Sequence, residues 1–415
     1  PHEPNTNLPA AAAIRKVLSI PVIASGRVEP EHADSEISKG SFDFLAMGRK
    51  ILADPHLPRK IAQGSIGDIR PCVYCYTCVS AIYTRERMRC AVNAECGFEY
   101  QRVARKTTAS KKRVAVVGGG PGGMEAARRL ASDGHQVVLF ERSGRLGGTL
   151  RFASLAYAAN ERLLDWLCLQ VEAHDIEVRL KTPATLELIK ALQPDAVVVA
   201  TGALRSLPSI PGCELPHVFS GDDMRDLVLG SGTERLKTKT SAFTRLATRV
   251  GSSTGLTENL DFVRKATHTW MPLGTNIVII GGELVGIELA EFLCERGRKV
   301  TVIDDAPRFG AGLTLVRRLR ILADLREHGV GLYPGSKDIR IEPGQVGFTD
   351  NTGAVLTVSA DQVIVARGAT GDSSQAEALR AAGLRVHEVG DGTGVGYIEG
   401  AMRDAMAAAD AIGAD

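Results

Sequence analysis

Four cysteines, Cys72, Cys75, Cys78 and Cys90, stand in the pattern C-x2-C-x2-C-x11-C within a 415-residue chain. Thiolates so closely spaced are soft ligands for iron–sulfur clusters or zinc. Zinc favours two separated C-x2-C pairs in tetrahedral array. A tight run of three with a remote fourth is the spacing that wraps a cubane iron–sulfur cluster. The spacing therefore favours a 4Fe–4S cluster, with zinc and unliganded thiols as the alternatives. Cys96 reads as a spare thiol. A disulfide scaffold would spread its cysteines, and a chain of this length needs none.

Two glycine turns carry a second chemistry. In "RVAVVGGGPGGMEAARRLASDGHQVVLFE" (113 to 141), Gly118, Gly120 and Gly123 make G-x-G-x-x-G directly after an apolar strand. Gly118 allows the tight turn, Gly120 lets the backbone approach a pyrophosphate, and Gly123 lets helix and strand pack closely. The helix N-terminus adds partial positive charge, and Glu141, at the end of the next strand, can accept from ribose hydroxyls. The second turn, "GGELVG", keeps Gly281 and Gly286 but has Glu283 where the backbone must come closest. Either the loop shifts and a nicotinamide dinucleotide still binds, or the Glu283 carboxylate occupies the anion site and closes it. Asp304 follows at the end of the next strand, where an acid accepts from both ribose hydroxyls of NAD.

These residues need strands and helices to hold them. "IPVIASG" (20 to 26) and "FDFLAMGRK" (42 to 50) read as buried parallel strands, each ending in Gly-Arg, with a helical stretch between. Residues 104 to 113 are polar and basic and read as a linker. "PDAVVVATG" (194 to 202), closed by Gly202, and "DQVIVARG" (361 to 368) echo each other, as do the two glycine turns. The chain thus holds an internal duplication, with the second dinucleotide fold inserted into the first. Residues 215 to 270 are rich in Lys, Arg, Ser and Thr and show no such pattern. Composition is that of a globular protein, with 44% hydrophobic and 24% charged residues. A net charge of +2 gives no global field for nucleic acid. No apolar run reaches the 18 residues of a membrane span, and no secretory signal is read at the start. A cytoplasmic location and a homo-oligomer are expected.

Together these pieces resemble the iron–sulfur flavoenzymes related to 2,4-dienoyl-CoA reductase and trimethylamine dehydrogenase. That family joins an Old Yellow Enzyme type flavin barrel to a cubane cluster and a glutathione-reductase-like pair of dinucleotide domains. The resemblance implies an α/β fold in five parts. Residues 1–66 would be the last strands of a TIM-type FMN barrel, and 67–105 the cluster segment. An FAD domain would span 106–214 and 369–415, and an NAD(H) domain 271–368, with 215–270 an excursion. By the same resemblance Gly26, Arg27, Gly48 and Arg49 hold the FMN phosphate. "GRLGG" with Gly148, and "VGDG" with Asp391 on the ribityl chain, belong to the FAD site. Cys72, Cys75, Cys78 and Cys90 ligate the cluster.

Two strands cannot close an eight-stranded barrel. The resemblance therefore implies a missing or separate N-terminal barrel portion that carries the pocket for a small-molecule substrate. Arg367 stands where the family has Thr. The implied activity passes electrons from NADH to FAD, the 4Fe–4S cluster and FMN, to reduce an activated C=C bond of an enoate or enoyl-CoA. An amine dehydrogenase or N-demethylase passing electrons outward is the alternative, and a non-catalytic nucleotide-binding fragment the third.

Overall fold

The computed structural model describes residues 4–103, 110–229, Leu236, Lys239 and 259–414. The chain divides into two compact units, Pro1–Cys72 and Val73–Asp415.

In the first unit, strands Ile23–Ser25 and Phe44–Ala46 pair in parallel, with Ile23 opposite Phe44 and Ser25 opposite Ala46. Helices Leu8–Val17 and Pro30–Ser38 each start with proline in the first turn, where its missing N–H costs nothing. They pack Leu8, Ala11 and Ala33 against Ala24, Val28 and Phe42. The apolar runs lead one to expect strands buried on both faces. Instead Ile23 is 64% and Phe44 58% exposed. Alternate strand residues point to opposite faces, and two strands with helices on one side leave the other face uncovered.

The second unit holds two five-stranded parallel sheets. The first runs Ile176–Arg179, Gln136–Phe140, Arg113–Val117, Ala196–Val199, Val386–Glu388. The second runs Gly331–Tyr333, Lys299–Ile303, Asn276–Ile280, Gln362–Val365, Val218–Ser220. Both are doubly wound, and "AVVV" and "VIV" sit beside their central strands because residues apolar on both faces need cover on both. The last strand of the first sheet arrives only after the second sheet is complete, which makes the folds nested. A short antiparallel pair, Leu204–Arg205 with Ala369–Thr370, ties the outgoing chain to the returning one. An antiparallel sheet of Lys337–Glu342, Gln345–Thr349 and Val355–Ser359 closes the second core, placing Ile341, Val346 and Phe348 with Val278 and Val363.

Val218–Ser220, inside the stretch read as an excursion, is an outer strand of the second sheet. Three residues are too few for a periodicity to register. Most of 230–258, and 104–109 of the linker, lie outside the described residues. Among the described residues no helix is long and apolar enough to cross a membrane.

Candidate functional site

The first glycine turn joins strand Arg113–Val117 to helix Pro121–Ser132. Gly118 has φ +106°, in left-handed space, and a Cβ there would lie 2.4 Å from the Ala200 carbonyl oxygen. A Cβ on Gly123 would meet the Gly118 oxygen at 1.9 Å, so the helix packs on its strand only because Gly123 has none. At Gly120, the helix N-cap, a Cβ would meet nothing within 4 Å. The open side of the turn is thus at Gly120, beside the first helical N–H groups, as a pyrophosphate requires.

Glu141 is buried, and its two oxygens accept from Gly119 N–H at 2.8 Å and Ser143 N–H at 2.7 Å. Each oxygen keeps a second lone pair for a hydroxyl donor. Gly148 lies against Gly120, its would-be Cβ 3.1 Å from the Gly120 Cα, and Gly147 N–H donates to Gly119 O at 2.7 Å. Gly202, with φ +78°, follows strand Ala196–Val199. Asp391 Oδ1 accepts from Gly396 N–H at 2.9 Å and Tyr397 N–H at 3.1 Å, anchoring the start of helix Tyr397–Ala414.

The second turn repeats this arrangement atom for atom in its acid and glycine contacts. Gly281 has φ +120°, and a Cβ on Gly286 would lie 1.9 Å from Gly281 O. Asp304 takes the place of Glu141, accepting from Gly282 N–H and from Ala306 N–H at 2.9 Å. Gly310 N–H donates to Gly282 O at 2.6 Å, as Gly147 does to Gly119. Glu283 takes the place of Gly120 as N-cap. Its side chain is exposed and accepts no capping bond, so the closed reading is not the arrangement found. Burial, together with Asp305, pushes the Asp304 carboxyl up against the two N–H bonds. Asp305 is lowered: burial opposes this, but the hydrogen bond with Asp304 and the charge of Arg367 outweigh it. The fold brings Arg367 to this pair, its Nη1 3.0 Å from Asp305 Oδ1. Arg367 is 62 residues from Asp305 in the chain, and only the pairing of their strands' neighbours brings them together.

Cys72 ends the first unit, while Cys75, Cys78 and Cys90 belong to the second. Tyr74 and Tyr76 bracket Cys75 with φ of +52° and +63°. Non-glycine residues in left-handed space are uncommon, so the chain turns sharply on both sides of Cys75. Cys75 Sγ lies 3.3 Å from Thr77 Oγ. Tyr157 O–H donates to Tyr74 O at 3.2 Å and Thr314 O–H to Cys75 O at 2.8 Å. Among the described residues no group of three or more His, Cys, Asp or Glu side chains could hold a single metal ion. Cys96 is buried, its thiol pushed up to about 11 by burial and then by Glu99 and Cys78, so it stays protonated.

In the first unit Gly26 and Arg27 follow Ile23–Ser25, and Gly48 and Arg49 follow Phe44–Ala46. Parallel pairing puts both Gly-Arg steps at one end of the pair. Gly26 has φ +128°, and Gly48 caps helix Arg49–Ala53.

The cluster loop, Tyr157, Thr314 and Arg317 are juxtapositions the sequence does not announce. The carboxyls of Glu288 and Glu291 are more legible, as acids three apart in the apolar "GIELAEFL". Arg317 Nη2 lies 2.6 Å from Glu291 and 4.0 Å from Glu288, and its guanidinium stacks 4.8 Å from the Tyr157 ring centroid. Burial, opposed by Arg317 and aided by Glu291, raises Glu288 to about 7. Between an unfolded value of 4.5 and about 7 the native protein then binds more protons than the unfolded chain. Stability therefore falls as pH rises through that window, by on the order of 3 kcal/mol at most. Glu288→Gln is expected to flatten this slope, read as melting temperatures at pH 5 and pH 8. An unchanged slope would refute the assignment.

The family model described as pyridine nucleotide-disulphide oxidoreductase matches residues 112–393. A second, NADH:flavin oxidoreductase / NADH oxidase, matches residues 2–66. Bilirubin reductase of Mediterraneibacter gnavus is 33% identical over 382 residues, 91% of this chain and 53% of that protein. NADH oxidase of Thermoanaerobacter brockii is 32% identical over 394 residues, 94% of this chain and 55% of that protein. A solved 2-naphthoyl-CoA reductase in complex with 2-naphthoyl-CoA superposes with a TM-score of 0.83 at 26% identity, covering 100% of this chain and 57% of that one. The chain spans about half the length of the curated relatives it matches. With the duplicated glycine turns and a flavin-barrel segment ahead of them, the chain belongs to the pyridine nucleotide-disulphide oxidoreductases, among the flavoenzymes related to 2,4-dienoyl-CoA reductase and trimethylamine dehydrogenase.

Proposed function

We propose that this chain is the electron-delivering portion of an NADH-dependent reductase of activated C=C bonds, in an enoate or enoyl-thioester. The observation that carries the reading is the order of parts: a parallel strand pair with Gly-Arg ends, four thiols, then two nested dinucleotide folds. The likeness to 2-naphthoyl-CoA reductase, which runs over the whole chain, supports a conjugated acyl thioester as substrate class.

Gly118, Gly120, Gly123, Gly148, Gly202, Glu141 and Asp391 would hold FAD. Gly281, Gly286 and Asp304 would hold NADH, and Gly26, Arg27, Gly48 and Arg49 the phosphate of FMN. When bound, these groups and a cluster on Cys72, Cys75, Cys78 and Cys90 supply the redox chemistry: hydride acceptance from NADH, one-electron transfer, and reduction of the substrate. A zinc site gathers four sulfurs about one ion at about 2.3 Å, whereas a cubane takes one thiolate per iron at separate corners. The run of three cysteines with a remote fourth is what favours the cubane over zinc. The uncovered Ile23–Phe44 face supports a remaining barrel portion, in the same polypeptide or a separate subunit, as its partner.

Anaerobic addition of NADH to the purified chain tests the reading. It is expected to carry FAD near one per chain, to have lost most FMN because the isoalloxazine pocket is incomplete, and to bleach its flavin band. A flavin that NADH leaves oxidised would overturn inward electron flow, and tight equimolar FMN would overturn the dependence on a further barrel portion.

A further inference from the structure

The Cys75 loop is held from both dinucleotide folds. Tyr157, between two helices of the first, bonds the carbonyl before Cys75, and Thr314, ahead of helix Leu315–Glu327 in the second, bonds the carbonyl of Cys75 itself. Val316 N–H donates to Ser80 Oγ at 3.2 Å, pinning helix Thr77–Thr84 as well. With Tyr74 and Tyr76 both left-handed, the loop has little freedom to rotate Cys75.

Inside this clamp one hydroxyl faces the sulfur. Thr77 is buried and starts its helix, yet the cap position belongs to Tyr76, whose side chain makes no capping bond. Thr77 therefore does not serve as an N-cap; its hydroxyl is directed to Cys75 Sγ at 3.3 Å. In the thiol the S–H donates to Thr77 Oγ. A metal-bound thiolate has no proton, so the polarity reverses and the Thr77 O–H donates to sulfur. Burial keeps water from competing for that donor.

We propose that Thr77 is a positioning residue that sets the reduction potential of the cluster by donating its hydroxyl hydrogen to the Cys75 thiolate. The inference rests on the cluster reading above. A donor to a ligand sulfur draws off negative charge and so favours the reduced state over the oxidised one. Hydrogen bonds to charged groups are strong enough to move such an equilibrium about tenfold.

Iron and sulfide assays of the wild type come first; absence of both would overturn the cluster reading and this proposal with it, whereas a loaded cluster lets the proposal fail by itself. Given about four of each, the midpoint potential is measured by EPR-monitored reduction in wild type, Thr77→Val and Thr77→Ser. Thr77→Val is expected to lower the reduced-to-oxidised ratio at fixed potential about tenfold, which is about 59 mV for one electron. Thr77→Ser keeps the donor and is expected to stay near wild type. Where the valine variant fails to load iron, Thr77→Ala removes the hydroxyl without the added methyl and gives the same comparison. A fully loaded variant lacking the hydroxyl at the wild-type potential would overturn the proposal, and so would a serine variant shifted as far as valine.

Discussion

Anaerobically purified protein is expected to contain about four irons and four acid-labile sulfides per chain. Cys75→Ala is expected to abolish the brown chromophore and most of the iron. Within the proposed ligand set Cys75 is closely held: two left-handed tyrosines flank it, and two hydroxyls bond the carbonyls of Tyr74 and Cys75. Loss of one thiolate leaves a cubane corner open in a loop that cannot easily move another sulfur in. Cys96→Ala serves as the control. That thiol is buried and held protonated, so its removal is expected to leave the iron content unchanged. Stoichiometric zinc with no iron, or iron loss in Cys96→Ala equal to that in Cys75→Ala, would contradict the ligand set.

The second large effect is cofactor choice. NADH is expected to reduce the flavin at least two orders of magnitude more efficiently than NADPH. A 2′-phosphate would arrive beside Asp304 and Asp305. Like charges a few Å apart cost on the order of 1 kcal/mol in water and several in a partly dry site, against about 1.4 kcal/mol per tenfold. Arg367 is already engaged by Asp305 and cannot serve the phosphate without giving up that pair. Asp304→Ala is expected to narrow the ratio. Because Asp304 also anchors Gly282 and Ala306, the absolute rates of this variant will fall for both cofactors, so the ratio is the quantity to read. Asp305→Asn leaves those anchors in place, releases Arg367, and is expected to raise NADPH efficiency selectively. Stopped-flow flavin reduction at limiting cofactor decides the matter. Equal wild-type efficiencies, or a ratio unmoved in both variants, would remove the discriminating role from this acidic pair.

The sequence by itself determined the two dinucleotide turns, their acids and the nested order. Those features depend on local rules: apolar runs for strands buried on both faces, glycines where a Cβ would strike a carbonyl 1.9 Å away, an acid at the next strand's end. The cysteine spacing is local in the same way, and the proposed cluster rests on that spacing. What only the tertiary structure decided is long-range. Glu283 could stand in the anion site or swing out, and the fold leaves its side chain exposed and without a capping bond. Val218–Ser220 becomes a strand because an open sheet edge beside Gln362–Val365 accepts it, whatever its own weak pattern. Arg367 meets Asp305, and Tyr157 and Thr314 meet the Cys75 loop, across separations of 62 to 239 residues. No periodicity carries such pairs, because their meeting depends on how whole sheets and helices pack.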